Sequence, residues 1–264
     1  MLQTRVITGF VLTVMISLVI CFSHITWLLN LVIAVLSVQA NFELFRASGN
    51  KGNKAAYCIS CIFAVIISFA SISVNKHVVA MVFGGMLLVF AVLMKRLKET
   101  SAIPVWLCCL ISVSFSLFFK TMSGIRALDN GIYLLSAAVL VSTITDIAAY
   151  FVGKGFGKHK AAPVISPNKT VEGCIGGSLF SVTILLVLAL VLDSQHVLTV
   201  NFTLFAIYLF TASVIGQLGD FSLSTVKRIV HIKDYGELLP GHGGILDRFD
   251  SLLFVLPYTY LVFM

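Results

Sequence analysis

The sequence contains few charged residues. Only 11% of its 264 residues are Asp, Glu, Lys or Arg, whereas 59% are hydrophobic, and the mean hydropathy is +1.03. Soluble globular domains carry about 25% charged residues, so the composition excludes a soluble globular domain and favours an integral membrane protein. We expect no nucleic-acid partner for such a chain.

Three other features are missing. Cys58 and Cys61 form a C-x-x-C pair without the second ligand pair that a zinc site needs, so we assign the cysteines to packing. No small-residue cleavage site follows the first apolar run, which we interpret as an uncleaved helix. No G-x-x-x-x-G-K-[ST] string occurs, and this excludes a Walker A loop.

The apolar residues form long runs, each close to the about 20 residues that cross a bilayer as a helix. They predict an all-α polytopic membrane protein with about nine transmembrane helices. The predicted spans are residues 6–22, 25–45, 55–74, 78–94, 102–119, 131–152, 175–192, 202–222 and 244–264.

The positive charges support this number of spans. With nine spans, 14 of the 18 Lys and Arg residues lie on one side of the membrane. They are in the N-terminal segment and in the connections after the second, fourth, sixth and eighth spans. Cytoplasmic loops are enriched in Lys and Arg. The pattern therefore predicts a cytoplasmic N-terminus and a C-terminus on the opposite side of the membrane.

The distribution of polar residues divides the chain near residue 130. Residues 1–130 have short basic loops and few polar groups inside spans apart from Asn41 and Glu43, so we interpret them as a transmembrane scaffold. Residues 131–264 are predicted to be the catalytic transmembrane region. They contain two cytoplasmic polar loops, 153–174 and 223–243.

Four acids lie within or beside the later spans. They are Asp146, Asp220, Asp247 and Asp250. A carboxylate near membrane depth costs several kcal/mol unless it is paired, protonated or bound to a cation, so intramembrane acids are functional candidates. The topology places all four toward the cytoplasmic side, together with the two polar loops.

The first polar loop carries glycines and the lysines Lys154, Lys158, Lys160 and Lys169. They suit either an anion-binding turn or a basic loop beside anionic lipid. The segment of Ser166, Asn168, Lys169, Thr170 and Glu172 is more specific. A Thr-x-Glu pair after a proline opens a helix, and exposed amides there bind an anion. Ordinary helix-start chemistry is the alternative for Thr170 and Glu172.

The second polar loop mixes cations and acids around a Gly-Gly turn. Its polar residues are Lys227, Arg228, Lys233, Asp234 and His242. Carboxylates bind Mg²⁺ while cations neutralise phosphate, so the mixture suits a metal-bound polyphosphate. Asp247 and Asp250 are three residues apart and share a helix face. Arg248 faces elsewhere, and a buried ion pair with Asp250 is the alternative interpretation.

Residues 224–250, "STVKRIVHIKDYGELLPGHGGILDRFD", closely resemble the signature of the phosphatidate cytidylyltransferases. The fixed positions of that signature are Ser-x-hydrophobic-Lys-Arg, Lys-Asp-x-Gly, Leu-Pro-x-His-Gly-Gly and Asp-Arg-x-Asp, and all are present. "DIAAYFVGKGFGKHK" and "SPNKTVEG" resemble the preceding family segments. Asn168 and Val171 depart from the Lys and the aromatic residue expected there.

The resemblance implies that CTP and phosphatidic acid react to give CDP-diacylglycerol and pyrophosphate. It implies Asp220 and Asp247 as the main Mg²⁺ ligands, joined by Asp146 or Asp250 around a second cation. The implied catalytic residues are Asp220, Lys227, Arg228, Asp247 and Asp250. The implied substrate-binding residues are Ser166, Asn168, Lys169, Thr170, Glu172, Lys233, Asp234, His242 and Arg248.

The resemblance also implies a homodimer. We further expect contact with membrane lipid and a place in a bacterial cytoplasmic membrane, with the active site facing the cytoplasm as the Lys and Arg distribution indicates. A Gly173 and Gly177 pair has the small-xxx-small spacing of close helix contacts, within or between subunits. The rival interpretations are a CTP-using enzyme for an isoprenoid lipid, an ion-coupled transporter and a purely structural membrane protein. The absence of an internal repeat disfavours the transporter.

Overall fold

The structure of the protein, a computed structural model, describes residues 2–70, 75–95, 103–238, 241 and 243–264. Over these ranges the chain forms nine α-helices and one small hairpin. The helices are α1 Leu2–Cys21, α2 Thr26–Ala47, α3 Lys54–Phe69, α4 Lys76–Lys95, α5 Val105–Arg126, α6 Gly131–Phe156, α7 Val171–Ser194, α8 Phe202–Ile229 and α9 Leu246–Phe263.

Each predicted span corresponds to one helix, which confirms the all-α polytopic class. Seven helices are long and apolar enough to cross a membrane, while α3 is a shorter apolar helix of 16 residues. The end of the third predicted span (residues 71–74) and residue 102 of the fifth lie outside the described ranges. The orientation of the termini stays a prediction.

Helix α9 lies in the centre of the bundle. Most of its residues are buried, and Phe254 contacts the rings of Phe83 and Phe90 on α4 and of Phe118 on α5. Such tilted and edge-on aromatic pairs add to the packing energy of the buried area. The last helix is therefore held by protein on most sides rather than by lipid.

Helices α6 and α7 pack closely because glycines line their contact. A Cβ atom added at Gly177 would lie 2.8 Å from the Thr145 carbonyl oxygen and 2.8 Å from the Ala149 Cβ. Gly173 faces the same helix, since its Cβ would lie 2.7 Å from the Ala149 carbonyl oxygen. The small-xxx-small pair thus makes a contact within the chain.

The polar loops are shorter and more ordered than the sequence suggested. Helix α6 extends to Phe156, and α7 begins at Val171. Between them, β1 (Lys160–Ala162) and β2 (Ser166–Thr170) form an antiparallel hairpin. Helix α8 continues through the basic residues to Ile229. Lys169, Lys227 and Arg228, which were predicted to lie in the polar loops, are therefore on a strand and a helix.

Candidate active site

A polar cavity of 710 Å³ lies where α6, α8, α9, the hairpin and the segment after α8 meet. Most of the predicted site residues line it. These are Asp146, Ser166, Asn168, Lys169, Thr170, Asp220, Lys227, Arg228, Lys233, Asp234, Asp247, Arg248 and Asp250. Lys154 and Lys160 line it as well. The fold thus brings residues more than 100 positions apart into one site.

Lys169 and Asp220 form an ion pair inside this cavity. Lys169 also lies over the Phe221 ring, 4.9 Å from its centroid, and the Ser224 hydroxyl donates to Asp220 Oδ1 at 3.0 Å. Burial alone would lower the pKa of Lys169, but the carboxylates of Asp220 and Asp146 outweigh it and raise that pKa above its ordinary value. Lys169 is therefore a stably charged cation in the cavity.

A second ion pair joins α8 to α9. Lys227 Nζ lies 2.9 Å from Asp247 Oδ1. The other oxygen, Asp247 Oδ2, accepts from the backbone amides of Tyr235 at 2.8 Å and Gly244 at 2.9 Å. The amides fix the orientation of the carboxylate. Only Oδ1 keeps a lone pair for a further ligand.

The carboxylates of Asp146, Asp220 and Asp250 lie close enough to repel one another. Asp250 interacts with both Asp220 and Asp146, and the Ser251 hydroxyl donates to Asp146 Oδ2 at 3.1 Å. Like charges in a partly dehydrated site repel unless a cation neutralises them.

This donor set suits a hard divalent cation. Carboxylate oxygens are the ligands that Mg²⁺ prefers in proteins. Among the described residues, no group of three or more His, Cys, Asp or Glu side chains is arranged as a ready-made metal site. Instead, Lys169 forms an ion pair with Asp220, and Lys227 forms one with Asp247. The ligand assignments therefore stay predictions.

The hairpin is tied to the cavity by its own contacts. Thr170 Oγ1 accepts from the Gly173 amide at 3.1 Å, which makes Thr170 the N-cap of α7. Arg228 Nε donates to the Ile165 carbonyl oxygen at 2.9 Å, so one predicted phosphate ligand also holds the hairpin tip. Both residues line the cavity while performing these local roles.

Glu172 does not line the cavity. Its carboxylate accepts from the amides of Lys158 and His159, at 3.1 and 3.2 Å, and lies 2.6 Å from His159 Nδ1. It therefore organises the turn between α6 and β1, which favours the structural interpretation of this residue. His242, the remaining predicted substrate-binding residue, lies outside the described residues.

Two residues with clear structural roles were not among the predicted site residues. Tyr235 is buried, donates from its hydroxyl to the Leu223 carbonyl oxygen at 2.8 Å, and lies under Lys227. Glu43 on α2 accepts from the amides of Ile245 and Leu246. A carboxylate inside an apolar run was the available signal for Glu43. Tyr235 stands at the variable position of the Lys-Asp-x-Gly motif, so no sequence signal indicated its role.

Fold and site define a polytopic helical membrane protein with a partly buried centre of acids and cations at one end of its bundle. The chain belongs to the cytidylyltransferase family, whose model matches residues 3–264. It is therefore a nucleotidyltransferase.

Relatives in this family carry informative names. A Bacillus subtilis protein named phosphatidate cytidylyltransferase is 40% identical over 195 residues, which cover 74% of this chain and 70% of the relative. Proteins of the same name from Staphylococcus epidermidis and Staphylococcus aureus are 45% and 44% identical over 154 residues, covering 56% of this chain and 55% of each relative. The staphylococcal matches thus span about half of those relatives.

Proposed function

We propose that this protein transfers the cytidylyl group of CTP to phosphatidic acid, giving CDP-diacylglycerol and pyrophosphate. The observation that carries the proposal is the single cavity in which Asp220, Asp247, Lys169 and Lys227 meet. The name of the relatives, phosphatidate cytidylyltransferase, supplies the two substrates. The reaction belongs to phospholipid biosynthesis.

The reaction requires charge neutralisation and alignment rather than a protein nucleophile. A phosphate oxygen of the lipid attacks the α-phosphorus of CTP, and the bond from that phosphorus to the bridging oxygen breaks. The electron pair leaves with pyrophosphate. Because both reactants are anionic, fixed cations stabilise the added charge of the transition state. Lys169 and Lys227 are positioned for this, with Arg228 and Lys233 beside them in the cavity.

Mg²⁺ is the cofactor that the carboxylate-rich cavity suits. When bound, it would supply further neutralisation of the triphosphate. Asp220 and Asp247 would be its main ligands, with Asp146 or Asp250 joining around a second cation. Because Lys169 and Lys227 pair with the two main ligands, we infer that these lysines turn to substrate phosphate when metal and CTP arrive.

The location of the cavity suits two substrates of different solubility. It lies toward the C-terminal ends of α6 and α8 and opens onto the hairpin, where a lipid headgroup and a dissolved nucleotide can both arrive. From the distribution of Lys and Arg we infer that this end faces the cytoplasm, in the inner membrane of a bacterium. A homodimer stays a prediction, since Gly173 and Gly177 pack within the chain.

A lipid panel tests the substrate assignment. We expect the purified protein, supplied with CTP and Mg²⁺, to release pyrophosphate with phosphatidic acid and to form CDP-diacylglycerol. An isoprenoid alcohol, an isoprenoid phosphate and diacylglycerol serve as comparison lipids. Turnover with an isoprenoid substrate alone would replace phosphatidic acid in the proposal, and an inert protein with every lipid would refute it.

A further inference from the structure

Glu43 is a buried carboxylate within residues 1–130, the predicted transmembrane scaffold. Its exposure is 1%, although it lies on α2, far along the chain from the cavity residues. Oε1 accepts from the Ile245 amide and Oε2 from the Leu246 amide, both at 2.8 Å. Gln39 donates to Oε1 at 3.0 Å and holds the carboxylate from its own helix.

These two amides belong to the start of α9. The first amides of a helix lack intrahelical partners, and the positive end of the helix dipole favours an anion there. The N-cap residue of α9, Ile245, supplies no side-chain capping bond. A carboxylate from another helix therefore performs the capping, across 202 and 203 residues of sequence.

The same carboxylate explains two glycines around the end of the second polar loop. A Cβ atom at Gly244 would lie 2.6 Å from the Glu43 carboxyl carbon, and one at Gly236 would lie 3.0 Å from Oε1. Neither glycine has a positive φ, whereas Gly243 does. The Glu43 carboxylate, and not backbone conformation, thus leaves no room for a Cβ atom at Gly244 and little room for one at Gly236.

We propose that Glu43 is the positioning residue of the catalytic end of α9. It holds the amides of residues 245 and 246, while Asp247 holds the preceding amide of Gly244. Together they fix the direction in which Asp247 and Asp250 enter the cavity. The kinetic consequence rests on the proposed function, but the structural consequence does not.

Glu43→Gln tests the role with an isosteric change. Gln has one acceptor oxygen, so its NH₂ group would face one of the α9 amides. We expect kcat to fall about 100-fold, since misplacement of catalytic groups by about 1 Å has that effect, with a smaller change in KM for CTP because Lys169 is untouched. Asn41→Ala is the matched control, because Asn41 is buried on the same helix and bonds to Ser60 instead.

Hydrogen exchange supplies a readout that does not depend on activity. In Glu43→Gln we expect faster amide exchange in peptides covering residues 235–250 and unchanged exchange in α2 and α3. Asn41→Ala should show the opposite distribution. Uniformly faster exchange in Glu43→Gln would show that Glu43 merely stabilises the bundle, and unchanged exchange at 235–250 would overturn the proposal even if the enzyme assay fails for other reasons.

A double-mutant cycle tests the contact itself. Gly244→Ala alone should lower kcat and speed exchange at 235–250, because its methyl group overlaps the Glu43 carboxylate. In a Glu43→Ala background the same substitution should add little, since the space is then free. Gly85→Ala, where nothing lies within 4 Å, is the glycine control. Additive effects of Glu43→Ala and Gly244→Ala would contradict the proposal.

Discussion

At the level of single residues, Lys227 connects Asp220 and Asp247, the two acids that we propose as the main Mg²⁺ ligands. It pairs with Asp247 on α9 and interacts electrostatically with Asp220 on its own helix. Its side chain is only 12% exposed, so water screens these interactions weakly. A cation so placed can hold the two carboxylates in the resting protein and neutralise phosphate in the complex.

Lys227→Ala should therefore lower kcat/KM for CTP by about tenfold to 100-fold, the usual effect of losing a hydrogen bond to a charged group. Lys227→Arg keeps the charge and should recover part of the activity. Lys95→Ala, at the exposed end of α4, is the control. Steady-state kinetics with purified variants measure the effect, and wild-type kinetics in Lys227→Ala would reject this role.

The residues of the cavity were largely predictable because intramembrane charge is costly and therefore informative. Asp146 and Asp220 stood out by that argument alone. Glu43 met the same criterion, but its partners are backbone amides some 200 residues away, and neither their position nor their need for a cap is visible in sequence. Motif spacing likewise gave no indication that Glu172 would bind the turn at His159.

Helix pairing decides which surfaces are available for other contacts. Gly173 and Gly177 let α7 approach α6 so closely that the backbone carbonyls of Ala149 and Thr145 take the space that Cβ atoms would need. In a membrane, close packing of small residues drives helix association, because lipid is as apolar as the side chains. This contact also supports the hairpin that carries Lys169.

Gly177→Val should destabilise the protein by about 1–3 kcal/mol, the usual range for overpacking. We expect a lower midpoint of thermal unfolding in detergent. Gly85→Val changes an exposed glycine with open space and should leave the midpoint unchanged. Equal midpoints for Gly177→Val and wild type would show that the α6–α7 contact is less tight than described.

The helices themselves could be predicted more accurately than their surroundings. Runs of apolar residues predicted all nine described helices, and seven of these are long and apolar enough to cross a membrane. They could not show that α9 is enclosed by α4, α5, α6 and α8, since a buried helix and a lipid-facing helix have similar composition. Nor did they predict the hairpin of β1 and β2, whose short strands carry mostly polar residues.

At the scale of the whole molecule, the cavity places the candidate phosphate ligands Lys169, Lys227, Arg228 and Lys233 at one end of the bundle. CTP is highly charged and does not cross a lipid bilayer unaided. If this end faces the cytoplasm, inside-out membrane vesicles should release pyrophosphate from added CTP, and sealed right-side-out vesicles should do so only after permeabilisation. Equal rates in both sealed preparations, or activity only in right-side-out ones, would reverse or reject this orientation.

The central claim is that α8 and α9 form one catalytic centre through Asp220 and Asp247. The most direct measurement is Mg²⁺-dependent pyrophosphate release from CTP and phosphatidic acid by purified wild type, Asp220→Asn and Asp247→Asn, with the exposed Asp129→Asn as control. We predict that each of the first two variants loses at least about 100-fold in rate while still folding and unfolding in a cooperative transition, and that the control stays active. Near-normal turnover in a folded Asp220→Asn or Asp247→Asn protein would contradict the account.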